Sequence, residues 1–186
     1  MLLTKKINVI QYLKCIIKIK GYKILPAINE IKHEAVKFRN LIENCDKENT
    51  ELVIGCFPVM SCKLTSMLLS YHFIKLYPKI IIKGVSAATG KNNKITHYWL
   101  EIDDIAIDIT GDQYNIIDDI ELNKKIIQAR PFPAVHVSHR KESRLYKLFT
   151  ILEKEILVYG FPTISTNFVE EMELSYSQLL YQSKCV

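Results

Sequence analysis

Residues 95–110 read ITHYWLEIDDIAIDIT. Two runs rich in β-branched and aromatic residues, 95–102 and 105–110, flank Asp103 and Asp104, the length and chemistry of a two-residue turn, so the stretch predicts a β-hairpin. With that turn residue 102 faces 105, 101 faces 106, and so on to 97 with 110. Side chains alternate along a strand, so His97, Trp99 and Glu101 share one face. Asp108 falls on that face too, one diagonal step of about 7 to 8 Å from His97.

Working outward, 79–85 (KIIIKGV) predicts a strand, 87–93 with Gly90 a loop, and 134–138 (AVHVS) a further strand. Helical patterns bracket this sheet. Leu64, Met67, Leu68, Tyr71 and Ile74 recur at helical spacing and predict a helix over 62–76 with Ser61 as its natural cap. Ile28, Ile31, Ala35, Phe38, Leu41 and Ile42 predict another over about 27–45. A third, amphipathic helix over about 7–19 should pack on the 28–42 stripe, leaving Lys5, Lys6, Lys14, Lys18 and Lys20 as a cationic patch able to attract an acidic protein partner. Leu145, Leu148, Phe149, Leu152 and Ile156 form a stripe that predicts a helix over 140–159, and a last amphipathic segment spans about 169–181. No internal repeat is present. The expected organisation is one α+β domain over 1–186, with a helical element at 1–50, a core at 51–140 and C-terminal helices at 141–186.

Length and composition agree with that frame. A chain of 186 residues with 48% hydrophobic and 24% charged residues has the mix of a single packed domain, which excludes disordered, collagen-like and low-complexity classes. The net charge of +5 is mild and carried mostly by Lys, with Arg only at 39, 130, 140 and 144 and no block of like charges, so nucleic acid is not the expected partner. Five cysteines without C-x-x-C spacing fit neither a disulfide framework nor a zinc ribbon, and reduced thiols are the simpler reading. The lysine-broken apolar stretch in 1–20 is too short to span a bilayer and lacks a small-residue cleavage site, so the chain reads as cytoplasmic with no membrane insertion. A protein exported by a secretion system would look the same.

Chemistry concentrates at Cys62, His97 and Asp108. Cys62 falls at the first turn of a helix, where unpaired backbone N–H groups and the positive end of the helix dipole favour an anion and so a nucleophilic thiolate. Cys15 and Cys45 lie on helical stripes and Cys56 in a loop, so none of the three shares that geometry. A carboxylate beside an imidazole holds one ring nitrogen and leaves the other to take a thiol proton, which is the arrangement a general base needs. The blander reading is a buried thiol, a solvent-facing histidine and an aspartate that caps the Thr110-Gly111-Asp112 turn.

These residues carry a resemblance. FPVMSCKLTSMLL at 57–69, HYWLE at 97–101 and IDITGDQY at 107–114 together are similar to the transglutaminase-like branch of the papain-like cysteine hydrolases, whose core is a Cys-bearing helix followed by antiparallel strands with His and Asp, commonly as His-Ala-Trp-x-Glu and Asp-x-Thr. The match covers about residues 52–115. It implies that Cys62 attacks an acyl carbon to form a thioester, that His97 is base and then acid, and that Asp108 orients it. A peptide or protein substrate is implied, with either water or an amine as acceptor, giving a peptidase, isopeptidase, glutamine deamidase or acyltransferase.

Other residues carry less. Trp99 shares the His97 face and is a candidate wall of the site, though a lone Trp on a strand is more often core. Gln113 is a candidate oxyanion donor, because no Gln lies shortly before Cys62, and a turn residue is the alternative. His136 and His139 flank a strand end with no carboxylate placed beside them by the alternation argument. The spacing of Cys56, Cys62, His97 and Asp108 matches no zinc pattern, so neither metal nor other cofactor is expected. The rival class is a binding module on the same fold in which the three residues are vestigial.

Overall fold

A computed structural model describes residues 25–183. The expected helix over 7–19 and its lysine patch lie outside the described residues. Helix α1 (Ile28–Asn44) starts where the Ala27 N–H donates to the Glu30 carboxylate at 3.0 Å, and its stripe of Ile31, Ala35, Phe38 and Ile42 is fully buried. Helix α2 (Cys62–Leu76) matches its expected bounds. It is more deeply placed than a one-sided stripe implies, because every residue from Thr65 to Ile74 is buried, the mark of a helix enclosed on all sides. Ser61 precedes it, but the hydroxyl donates back to the Pro58 carbonyl at 2.8 Å instead of capping, which corrects the expected role.

The strands are β1 (Ile82–Thr89), β2 (Ile95–Ile102), β3 (Ile105–Asp108), β4 (His136–His139) and β5 (Thr150–Leu157), in the order β4-β3-β2-β1-β5 with every neighbour antiparallel. The β2–β3 register is the expected one, with Leu100 facing Ile107, Glu101 facing Ala106 and Ile102 facing Ile105. β1 starts at Ile82 and not at 79, β4 runs His136–His139 and not over 134–138, and two further boundaries move. β1 runs on to Thr89 through what reads as loop, since Ala87, Ala88 and Thr89 all pair with β2. β3 stops at Asp108, not Thr110, because Asp108 Oδ1 accepts both the Thr110 N–H (2.9 Å) and its hydroxyl (3.1 Å), a local turn that competes with the ladder.

The helix expected over 140–159 is not there. A short helix, Arg144–Leu148, capped by the Ser143 hydroxyl, is followed at once by β5, so the C-terminal segment contributes an edge strand and not helices alone. Glu153, Lys154 and Glu155 are good helix formers, and the Leu and Ile spacing fits either period. The backbone groups of β1 decide the outcome by pairing along its length with β5, from Ile82 with Leu157 to Ala88 with Thr150. Helix α6 (Thr166–Gln182) closes the described chain, after three short helices that we number α3 (Gln113–Ile116), α4 (Lys124–Gln128) and α5 (Arg144–Leu148). No helix among the described residues is long and apolar enough to cross a membrane.

The sheet separates two cores. On one face Tyr98, Leu100, Ile102, Ile105 and Ile107 pack with α1, α2 and α6. On the other Val85, Ala87, Trp99 and Ala106 pack with Tyr114, Ile126, Phe132, Leu145 and Phe149 from the short helices and loops. β2 is therefore buried on both faces, and the residues that face the second core include His97, Trp99 and Glu101.

Candidate active site

The His97 end of β2 lies beyond the last β2–β3 pair, Leu100 with Ile107, so no strand borders it on that side. Here the start of α2 meets the sheet. His97 Nε2 lies 2.9 Å from Asp108 Oδ2, with both side chains almost wholly buried. Cys62, half-buried, reaches the same imidazole closely enough for its hydrogen bond and charge to act on it. The three residues read from the sequence thus converge, and both readings of Asp108 hold together: Oδ1 caps the turn while Oδ2 holds the histidine.

Electrostatics follow from this geometry. Burial works to discharge His97, but the Asp108 carboxylate and then Cys62 outweigh it and push the imidazole up from 6.5 to about 10. Burial likewise works to raise Asp108, and the imidazolium and the Thr110 donors bring it below its ordinary value. Aromatic rings complete the enclosure, with Phe149 stacked at 5.4 Å from the imidazole, Tyr114 edge-on at 5.3 Å and Trp99 tilted at 6.1 Å. The stacked face of Phe149 favours a cation over a neutral ring. Trp99 is fully buried in the second core and supports the histidine, so it does not line an open surface.

Gln113 is placed differently from an open oxyanion donor. Its Nε2 lies 3.0 Å from the Thr110 carbonyl, to which it donates, and 3.2 Å from His97 Nδ1. On the helix face of β2, Tyr98 donates to Glu155 at 2.6 Å and lies beneath Lys63, whose ammonium is 5.4 Å from its ring. Gly84 makes this contact: a methyl there would coincide with the Tyr98 hydroxyl. Burial first, then Glu155, Glu153 and Cys62, push Tyr98 up.

Arg39 has no signature in the sequence beyond its place among polar residues of a helix, yet it ties the two halves of the site together. Its Nη1 donates to the Ile109 carbonyl at 2.5 Å, it grips both Asp112 oxygens at 3.0 and 2.8 Å, and its guanidinium lies 4.3 Å over the ring of Phe57. One buried side chain therefore joins the loop before Cys62 to the segment after Asp108. The remaining histidines do other work. Register sets His136 opposite Asp108, a carboxylate that simple alternation did not place there, but its Nε2 bonds Ser143 and Ser138. His139 pairs with Asp104 at 3.0 Å. A second imidazole–carboxylate contact, His72 with Glu34 at 3.2 Å and Tyr176 at 3.0 Å, ties α1, α2 and α6, and burial holds His72 low and neutral. Among the described residues no group of three or more His, Cys, Asp or Glu side chains converges as a metal site.

No family model or curated protein matches the sequence, and no solved structure matches the fold.

Proposed function

We propose that this chain is a cysteine-dependent amide hydrolase or acyltransferase with a transglutaminase-like, papain-like core, acting on a peptide or protein through Cys62, His97 and Asp108. The observation that carries the reading is the placement of one buried imidazole between Asp108, 2.9 Å from Nε2, and the Cys62 sulfur. In the reaction the thiol proton passes to His97 Nδ1 and the sulfur attacks the acyl carbon. The carbonyl electron pair moves to oxygen, and His97 then returns the proton to the departing amine, leaving a thioester for water or an amine to open. The developing oxyanion has donors at hand, since no side chain caps the N–H groups at the start of α2 and no acidic residue occupies its first turn.

A binding module on the same fold is the second reading, and the complete burial of the His97 side chain is the observation that favours it. One experiment separates them. The chain is incubated with a peptide-amide library and read by mass for cleavage, for a gain of one dalton or for amine adducts, with Cys62→Ala as control, while iodoacetamide labelling at pH 6 is compared across the thiols. Selective labelling of Cys62 that is lost in His97→Ala, together with a Cys62-dependent mass change, supports the enzyme. Equal labelling of all thiols and no mass change supports the module.

A further inference from the structure

The chain neighbours of Cys62 and His97 meet as well. Lys63 follows Cys62 on α2 and Tyr98 follows His97 on β2, and the Lys63 ammonium lies 5.4 Å over the Tyr98 ring and 3.8 Å from Glu155 on β5. The Tyr98 hydroxyl lies 3.6 Å from Met67 Sδ, one turn further along α2, and donates to Glu155 Oε1 at 2.6 Å. Ser86 pairs with Tyr98 on one side and with Glu153 on the other, while Gly84 pairs with Glu155. Partners across antiparallel strands share a face, so both glutamates look toward α2 across two small residues of β1. Lys154 between them points to the opposite face, where it bonds Glu101 at 2.7 Å.

Charge on this face does not balance. Glu153 is exposed and makes no ion pair among the described residues, so two carboxylates face one ammonium. That ammonium is loosely held: the Lys63 side chain is 64% exposed against 26% for Glu155, and the contact between them is longer than a hydrogen bond. The carboxylate, by contrast, is fixed by a buried hydroxyl for which Gly84 leaves the room.

We propose that Glu153, Glu155 and the face of Tyr98 form a subsite for a basic side chain, Lys or Arg, of the substrate peptide, and that Lys63 fills this seat until the substrate displaces it. The inference rests on the reading of Cys62 and His97 as the reacting pair and adds to it the class of peptide taken. An ammonium or guanidinium finds a carboxylate and an aromatic face together there, the two partners that Lys63 shows to be within reach of one cation.

The test compares two thiol reagents of similar size and opposite charge, aminoethyl and sulfonatoethyl methanethiosulfonate, read by mass at Cys62 with the exposed thiol of Cys56 as internal reference. Lys63→Met keeps an apolar stem over Tyr98 and empties the seat. Glu155→Gln keeps an acceptor for the Tyr98 hydroxyl and removes the charge. The first should raise the cation-over-anion rate ratio at Cys62 by about fivefold and the second should lower it by about fivefold, the factor for one exposed ion pair backed by a ring face. Because both side chains serve one seat, Lys63→Met should have a much smaller effect once Glu155 is replaced. Among library peptides that change mass, those with Lys or Arg beside the changed residue should lead, and Glu155→Gln should remove the lead. Ratios that stay at the native value in either variant, or effects that simply add in the double variant, overturn the subsite and leave Glu155 as a strut between α2 and β5. Equal iodoacetamide labelling of all thiols, unaffected by His97→Ala, overturns the reacting pair instead, and the charge ratios then still decide whether the seat takes a cation.

Discussion

Gly111 stands where an added methyl would lie 2.8 Å from Asp108 Oδ2, the oxygen that holds His97. The chain must turn this tightly because Asp108 Oδ1 folds the Thr110 backbone back toward it. Gly111→Ala should therefore push the carboxylate off the imidazole without altering either partner. Cys62 labelling and any turnover should fall by about 10- to 100-fold, the scale of a misplacement near 1 Å, while circular dichroism shows the fold retained. Labelling at the native rate would mean that the carboxylate moves freely.

Asp108→Asn keeps an acceptor for the Thr110 N–H but loses the charge and the tautomer control. On the proposed reaction, any turnover should drop by about 10⁴, as in triads generally, with a much smaller change in melting temperature. A loss within the error of the assay would remove Asp108 from the mechanism.

The pH dependence of stability carries a definite sign. His97 is raised, so its contribution is full below the unfolded value near 6.5 and is lost as pH climbs through about 10. Asp108 is lowered, so its contribution is present above its unfolded value of 3.8 and lost as acid is added through the folded value. Urea midpoints should be flat between these limits and decline from pH 7 to 10. In His97→Gln the alkaline decline attributable to this group should disappear, and its persistence would assign the proton elsewhere.

Arg39→Met removes the grip on Asp112 and on the Ile109 carbonyl while keeping a long stem over Phe57. The variant should lose about 3 kcal/mol, the scale for stripping one partner from a buried charge pair, and should label Cys62 more slowly because the segment after Asp108 loosens. Equal denaturation midpoints would show the clamp to be idle.

The hairpin and α2 could be read from the chain because their signals are local. A two-residue acidic turn between alternating runs sets the register, and the register sets His97 and Asp108 on one face. β5 could not be read that way. Thr150–Leu157 is a strand because β1 needs a partner, and nothing inside those eight residues says so. Arg39 was missed, and Gln113 was read as a candidate oxyanion donor and not as a buried neighbour of the histidine, for a related reason. Arg39 lies 70 and 73 residues from the groups it holds, and Gln113 reaches the histidine only because Asp108 folds the chain back at Thr110.

The same long span has a temporal meaning. Cys62 leaves the ribosome before His97, Asp108 and Asp112, and the Arg39 bridge closes only when a segment more than seventy residues downstream of it has arrived. Contacts so far apart in sequence form late in folding, after their loop-closure entropy has been met. A nascent or half-folded chain therefore holds Cys62 without the imidazole and the arginine bridge that border it in the completed fold.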